Sequence, residues 1–351
     1  MLACIWAALP AAAFFYSKQF PESPWITNAL LPALALEAGC YLATLFGQTR
    51  NWFAAFRPAK RQAAILWLSA LIPYLIFSLS AGTFQRNAFY LLVGLTAVFS
   101  FWHAVLPTSA KGTAARRQTV PELASALGGA PDNVPVLRGF FKSAYDCGFL
   151  AIAAAPIVTR VFSRIYISPD RHVRADILGQ LMWIRLGIAA LLILREWDPG
   201  AFGLWPTRRE WRSGLTYYCA AVIPVVLLAL GLHDVRWEPL AGEWWRVAGI
   251  GVGTFFGFLW VKALSEELFF RGVIARALLD RLPSQALAMV LSAIVYGSAH
   301  LWFRGFPDWR RAIVAGLLGI FCGLAYAQTR SVKVPMITHT LVVTTWRLLF
   351  K

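Results

Sequence analysis

Two adjacent glutamates stand in an otherwise apolar run of this sequence, in the octet "SEELFFRG". Glu267 and Arg271 are four residues apart, so on a helix they share one face and form an ion pair. Glu266 is rotated by about 100° from Glu267, and we expect it to have no local partner. A carboxylate without a cation in apolar surroundings can act as a general base. The alternative is that both glutamates mark a helix end in water.

The chain has five histidines, and two of them border apolar runs in the same C-terminal part as Glu266. His300 ends the run "SAIVYGSAH", and His339 begins the run "HTLVVTTW". Three helices could bring Glu266, His300 and His339 to one polar cavity, although two unrelated histidines at helix ends are equally compatible with the pattern. Such a set can activate water directly, with one histidine stabilising an oxyanion. It can also bind zinc as two histidines and a glutamate with an open position.

Other polar residues in or near apolar runs are predicted to be structural. Glu37 and Arg185 each lie inside an apolar segment, where we expect each to be half of an ion pair between helices. A charged transport path is the alternative. We predict a packed position near a helix end for His103, and solvated surface positions for His172 and His233.

The elements that must position these residues are membrane helices. The 351-residue chain is 58% hydrophobic and only 14% charged, whereas a soluble domain carries about 25% charged residues. Apolar runs close to the roughly 20 residues needed to cross a bilayer recur along its whole length. We therefore predict an all-α, polytopic transmembrane bundle with roughly 8–11 membrane helices, because open sheet edges leave backbone groups unpaired in lipid.

The net charge of +16 indicates a membrane surface rather than nucleic acid. Lysines and arginines cluster in loops between apolar runs, as the positive-inside rule and anionic headgroups favour. We predict an integral, multi-pass protein of the plasma (inner) membrane. Its expected partners are the lipid bilayer and a peptide or protein substrate, and not a nucleic acid.

Polar stretches divide the chain into two predicted regions. Residues 1–212 form an N-terminal transmembrane region of unknown role, with an extramembrane loop at 108–142 that is rich in turn residues. Residues 213–351 form a C-terminal helical bundle that contains the glutamates and both histidines. Within that bundle, the apolar run before the octet is predicted to end at Leu264.

Paired glycines in the C-terminal bundle predict close helix contacts. Gly253 and Gly257 form one GxxxG pair, and Gly319 and Gly323 form another. Small residues at this spacing let two helix backbones approach each other. We predict tight packing at both pairs and no chemical role for either.

The three C-terminal motifs resemble those of the CPBP family (CAAX protease and bacteriocin-processing, or Abi) of intramembrane proteases, which includes the type II CAAX prenyl endopeptidases. The family pattern is EExxxR, then FxxxH, then HxxxN, on successive helices. The first motif is complete here as "EELFFR"; the second is "YGSAH", with Tyr296 for phenylalanine; the third is "HTLVV", with Val343 for asparagine. The resemblance covers about Thr216 to Phe350.

This resemblance implies an intramembrane endopeptidase that hydrolyses a peptide bond near the membrane surface. Glu266 would be the general base together with His300, and His339 would stabilise the oxyanion. Glu267 and Arg271 would fix the orientation of Glu266. Members of the family are described both as metalloproteases and as glutamate-dependent enzymes, so the resemblance implies either no cofactor or a zinc ion on the glutamate and the two histidines.

Val343 is the main departure from the family pattern. It lies one turn after His339, where an asparagine would donate to the oxyanion, and losing one such donor typically costs about 10²–10³-fold in rate. Thr340 or Thr344 could supply a hydroxyl instead, or the enzyme could be slow. The alternative is a non-catalytic membrane protein that binds peptides or gives bacteriocin immunity. The change to Tyr296 is milder, because it keeps the ring and adds a hydroxyl.

Overall fold

The computed structural model describes residues 24–44, 46–105, 144–169, 175–195, 203 and 205–351. In these ranges the chain forms twelve helices, counting consecutive helical segments as one, and no β-strand beyond an isolated antiparallel bridge between Trp237 and Phe350. In chain order the helices are α1 Ile26–Thr44, α2 Gly47–Ala54, α3 Ala59–Ser80, α4 Arg86–Val105, α5 Ala144–Val158, α6 Val161–Ile165, α7 Asp176–Leu194, α8 Arg208–Gly231, α9 Trp244–Leu279, α10 Gln285–Ser298, α11 Trp309–Thr329 and α12 Lys333–Leu349.

Among the described helices, seven are long and apolar enough to cross a bilayer: α1, α3, α4, α7, α8, α9 and α11. Two shorter apolar helices lie at Gly148–Val158 and Gln285–Ser298. Large apolar side chains point outward, such as Ile223 and Leu227 on α8, which are 65% and 64% exposed. Apolar surface of this kind suits contact with lipid rather than water. The predicted all-α polytopic bundle is confirmed.

Helix α8 begins earlier than the predicted start of the C-terminal region. A capping box begins it, in which the Thr207 side chain accepts from the Glu210 N–H and the Glu210 carboxylate accepts from the Thr207 N–H at 2.7 Å. Lys333 also contacts the Glu210 carboxylate at 2.8 Å. Residue 213 therefore lies inside α8, and the division into two regions stays a prediction. The predicted loop 108–142 lies outside the described residues.

A buried ion pair joins the helices of the N-terminal bundle. Arg185 on α7 donates to both carboxylate oxygens of Glu37 on α1, at 2.5 and 3.2 Å, and to the Ser69 hydroxyl on α3 at 2.9 Å. The predicted ion-pair positions of Glu37 and Arg185 are confirmed, and the two residues are partners of each other.

The histidines outside the C-terminal motifs take ordinary positions where the structure describes them. His103 is buried near the end of α4, with its ring 4.6 Å from that of Phe149. His233 lies exposed after α8. Both positions agree with the predictions, and His172 lies outside the described residues.

The C-terminal bundle packs most closely where α10 crosses α11. A Cβ atom placed on Gly319 would lie 3.1 Å from Cδ1 of Tyr296 and 3.2 Å from Cα of Ala293. A Cβ atom on Gly323 would lie 3.1 Å from the sulfur of Met289. The predicted close contact at this glycine pair is confirmed.

The other glycine pair makes no such contact. A Cβ atom on Gly253 or Gly257 would have no atom of another described element within 4 Å. Both glycines lie in the first half of α9, where side chains such as Val252 are exposed. The prediction of tight packing here was wrong. The GxxxG spacing shows that a second helix could approach this backbone closely, but it does not show that such a helix is present.

Helix α9 continues through the octet as one helix of 36 residues. The predicted end at Leu264 was wrong, and the glutamates lie inside the helix rather than at its end. Wide π-helical turns at Phe258–Ala263 and Leu268–Ala275 flank the short α-helical segment Leu264–Glu267. Such turns are rare and frequent at functional sites. The two glutamates lowered the hydropathy of the run, but their partners inside the bundle allow the helix to continue.

Candidate active site

Three helices of the C-terminal bundle meet at Glu266, Tyr296 and His339. The Tyr296 hydroxyl on α10 donates to Oε2 of Glu266 on α9 at 3.1 Å, and it lies 3.2 Å from Nε2 of His339 on α12. The same Nε2 is 3.9 Å from the Glu266 carboxylate. A carboxylate, a phenol and an imidazole therefore share one polar point inside the bundle.

Glu267 holds His339 rather than Glu266. Its fully buried carboxylate accepts from Nδ1 of His339 at 2.8 Å. It also accepts from Nη1 of Arg271 at 3.1 Å, which bears out the ion pair predicted from their spacing. A carboxylate on one nitrogen of an imidazole fixes the ring and leaves the other nitrogen directed at the site. These contacts orient His339, and the implied role of Glu267 and Arg271 in orienting Glu266 stays a prediction.

Arg271 ties three helices together around this point. Its Nη2 donates to the Gly319 carbonyl on α11 at 3.2 Å. Its guanidinium carbon lies 4.4 Å from the centre of the Tyr296 ring, a cation–π distance. Because Arg271 is itself 1% exposed, this contact set holds the ring of Tyr296 as well as the carboxylate of Glu267.

Glu266 has a cationic neighbour that the sequence reading did not include. Nζ of Lys262 lies 3.7 Å from Oε1 of Glu266, one turn earlier on the same helix face. The expectation that Glu266 has no local partner was therefore wrong. Lys262 and Glu266 have the same i, i+4 spacing as Glu267 and Arg271. Side-chain exposure is 16% for Glu266 and 48% for Lys262, so this carboxylate is the one that water can reach.

His300 lies beside this site, in the turn after α10. Its Nδ1 is 3.0 Å from the Tyr296 carbonyl, to which it donates, and its ring is 4.8 Å from the Tyr296 ring. Burial lowers the pKa of His300 below its ordinary 6.5, against the opposing effect of the Glu266 carboxylate. A neutral ring that donates from Nδ1 keeps an unprotonated Nε2, which is the form a base requires.

The predicted meeting of Glu266, His300 and His339 is thus seen in part. Glu266 and His339 are brought together, whereas His300 makes no hydrogen bond or ion pair to either of them within the described ranges. His300 lies close enough to Glu266 for the charge of that carboxylate to act on the imidazole ring. The Tyr296 hydroxyl, which the sequence reading treated as a mild change, lies at the centre of the site.

The threonines do not replace the missing asparagine. The Thr344 hydroxyl donates to the Thr340 carbonyl at 2.8 Å and is therefore engaged. The Thr340 hydroxyl is fully buried and has no hydrogen-bond partner in the described part of the chain, but it is rotated by about 100° from His339 on α12. Val343 is half-buried one turn after His339 and offers no donor.

The side chains do not fit the zinc site considered above. Within the described ranges, no group of three or more histidine, cysteine, aspartate or glutamate side chains is placed to hold a metal ion. The Tyr296 hydroxyl contacts both Glu266 and His339, and Nδ1 of His339 is engaged by Glu267.

Comparison with known proteins supports the resemblance seen in the motifs. A family model described as "Type II CAAX prenyl endopeptidase Rce1-like" matches residues 247–345. Neither the curated proteins nor the solved structures give a match. The matched residues run from the first half of α9 almost to the end of α12 and include all three motifs. This integral, multi-pass membrane protein is therefore similar, over residues 247–345, to the Rce1-like type II CAAX prenyl endopeptidase family.

Proposed function

We propose that the protein is an intramembrane endopeptidase in which Glu266 and His300 activate the attacking water. The observation that carries this proposal is the contact of Glu266, the more accessible of the two adjacent carboxylates, with the Tyr296 hydroxyl beside His339. A partly exposed carboxylate that can serve as a base and a group that can face an oxyanion meet there without a nucleophilic serine or cysteine.

The proposed reaction moves one proton twice. Glu266 takes a proton from water as the oxygen attacks the peptide carbonyl carbon, with the unprotonated Nε2 of His300 accepting the second hydrogen bond of the water. The carbonyl oxygen becomes an oxyanion that faces Nε2 of His339. When the C–N bond breaks, Glu266 returns its proton to the leaving nitrogen. The products are a carboxylic acid and an amine, which become a carboxylate and an ammonium group when the acid passes its proton to the amine, and the enzyme is unchanged.

The charges around His339 suit its proposed task. Nδ1 of His339 donates to Glu267, so Nε2 can donate to an oxyanion only when the ring is protonated on both nitrogens. The carboxylates of Glu267 and Glu266 lie 2.8 and 3.9 Å from the two ring nitrogens. Arg271 and Lys262 partly balance the two carboxylates.

The position of the site along α9 supports a reaction near one membrane surface. Glu266 is 22 residues after Trp244, or about 33 Å along a helix, and the hydrocarbon core is about 30 Å thick. Exposed Trp244 and Trp245 suit one interface, so Glu266 lies close to the other. Water and a membrane-anchored peptide can both reach such a depth.

The test is cleavage of a membrane-tethered peptide library by the purified protein. We expect Glu266→Gln to lower cleavage by about 10²–10⁴-fold, the usual contribution of a general base, and His300→Ala to lower it as well. Glu243→Gln is the matched control, since Glu243 is 64% exposed at the start of α9. Full activity in Glu266→Gln would overturn the proposal, and loss of activity with a zinc chelator would assign a metal.

Val343 favours a second candidate, a non-catalytic protein that binds a membrane peptide or confers bacteriocin immunity. Its side chain offers no donor where the oxyanion is expected. This candidate predicts that the wild-type protein binds library peptides without cutting them, and that Glu266→Gln binds them equally well. The same library therefore separates the two candidates.

A further inference from the structure

We propose that the Tyr296 hydroxyl is the second oxyanion donor of this site and takes the place of the side-chain amide that Val343 lacks. This inference rests on the proposed function and assigns a catalytic role to a residue whose hydroxyl the sequence pattern does not call for. Its geometry, its rigidity and its chemistry each support the assignment.

The geometry places two donors around one point. The Tyr296 hydroxyl oxygen and Nε2 of His339 are 3.2 Å apart, so a single oxygen can lie about 2.8 Å from both, within ordinary hydrogen-bond distance. Oε2 of Glu266 lies 3.1 Å from the same hydroxyl oxygen and 3.9 Å from Nε2 of His339, so the three atoms form a triangle. A water held by Glu266 then faces the carbonyl carbon whose oxygen lies between Tyr296 and His339.

The ring of Tyr296 is held in place before any substrate arrives. The residue is 1% exposed. The guanidinium of Arg271 covers one face at 4.4 Å, and the Phe270 ring packs edge-on at 4.9 Å. Gly319 lets α11 approach the ring, since a Cβ there would lie 3.1 Å from Cδ1 of Tyr296. A donor fixed in advance costs no reorganisation in the transition state.

The hydroxyl can serve the oxyanion without moving the ring. It carries one hydrogen, which points to Glu266 in the free enzyme. Rotation about the C–O bond redirects that hydrogen. In the transition state, Glu266 has taken a proton and is a weaker acceptor, while the carbonyl oxygen has gained negative charge. The hydrogen therefore turns to the oxyanion and stays on Tyr296 throughout, so no proton is gained or lost.

The test exchanges the donor between two positions. We expect Tyr296→Phe to lower kcat by about 10²–10³-fold, the cost of one oxyanion donor, with KM changed less than about threefold because the substrate carbonyl is a weak acceptor. Val343→Asn should restore at least about tenfold in the Tyr296→Phe background and change the wild type little. Tyr326→Phe is the matched control, an equally buried tyrosine on α11.

A second readout measures transition-state affinity without turnover. A peptide phosphinate, whose tetrahedral oxygens imitate the oxyanion, should bind Tyr296→Phe at least about tenfold more weakly. The affinity of the uncleaved peptide, measured in the Glu266→Gln background, should be the same with and without Tyr296→Phe. Thermal unfolding in detergent checks that the phenylalanine variant is folded.

The outcomes separate this inference from the proposed function. Cleavage that depends on Glu266 but survives Tyr296→Phe would refute the inference and leave the function standing. A slow Tyr296→Phe that Val343→Asn does not restore would also refute it, because the hydroxyl would then act by positioning Glu266. A wild-type protein that cleaves nothing would refute the proposed function, and the inference with it.

Discussion

Two of the clusters of buried charge in the described part of the chain differ in how completely they are paired. In the N-terminal bundle, one carboxylate meets one guanidinium: Glu37 and Arg185 are each 1% exposed, and Arg185 also donates to Ser69. Both oxygens of Glu37 are engaged by the same arginine. A closed pair of this kind fixes α1 against α7 and leaves no group for chemistry.

The C-terminal cluster contains the same kind of pair and one carboxylate more. Glu267 is fully buried with Arg271, as Glu37 is with Arg185. Glu266 is the surplus carboxylate, and its cation is the half-exposed Lys262 at 3.7 Å. The comparison teaches that a buried glutamate is not by itself a sign of catalysis. The sign is a second carboxylate, accessible and loosely paired, next to a rigid first one.

Breaking the N-terminal pair should have the largest effect on stability. Glu37→Gln leaves the Arg185 charge buried without a counter-charge, and losing one partner of a buried pair costs about 3–5 kcal/mol. We expect a lower free energy of unfolding in detergent but unchanged cleavage per folded molecule. Glu266→Gln should do the reverse.

Two controls sharpen this expectation. The double variant Glu37→Met with Arg185→Met should recover most of the lost stability, because apolar side chains of similar size replace the whole pair. Glu243→Gln breaks the exposed pair with Arg246 and should change stability by at most about 1 kcal/mol. A Glu37→Gln variant as stable as the wild type would contradict the closed-pair description.

Close helix packing in the C-terminal cluster gives an intermediate effect. A Cβ atom on Gly297 would lie 2.6 Å from the Ala312 carbonyl oxygen and 3.1 Å from Cα of Gly316. Gly297→Ala should therefore push α10 from α11 and lower stability by about 1–3 kcal/mol. It should also lower cleavage, because Tyr296 is the preceding residue. Thermal unfolding and library cleavage measure both effects.

The matched control for this substitution is Gly253→Ala on α9. A Cβ atom there meets nothing within 4 Å among the described atoms. Alanine also favours a helix over glycine by up to about 1 kcal/mol, so stability should stay equal or rise slightly. If Gly297→Ala and Gly253→Ala had the same stability, the close contact of α10 with α11 at Gly297 would be contradicted.

The smallest effect concerns pH. Burial lowers the pKa of His300 from 6.5, so the neutral form that accepts a hydrogen bond from water persists below that pH. As the pH falls through the lowered pKa, His300 gains a proton, and kcat/KM should fall by about tenfold per pH unit. Stability should also fall below pH 6.5, because the unfolded chain binds the proton more readily.

A pH profile of kcat/KM checks this expectation. The acid limb should have its midpoint below 6.5, and it should be unchanged in His233→Gln, which alters an exposed histidine. A residual activity in His300→Gln should lack the limb assigned to the imidazole. A midpoint above 6.5 would contradict the burial of His300 described above.

Local patterns predicted part of the site correctly. The spacing of Glu267 and Arg271 predicts their ion pair, because residues four apart share a helix face whatever surrounds them. The same rule applies to Lys262 and Glu266, whose pairing was not predicted. Hydropathy alone cannot show where this helix ends, because it counts both glutamates as exposed charges although they have partners inside the bundle.

The sequence by itself determined the membrane-helical fold and the pairs that lie within one helix, because both depend on hydropathy and on the fixed geometry of a turn. Only the tertiary structure decided that Glu267 holds His339 and that the Tyr296 hydroxyl lies between His339 and Glu266. These contacts join residues 30 to 72 positions apart. They depend on how α9, α10 and α12 are rotated and how closely they cross, which no spacing along one helix specifies.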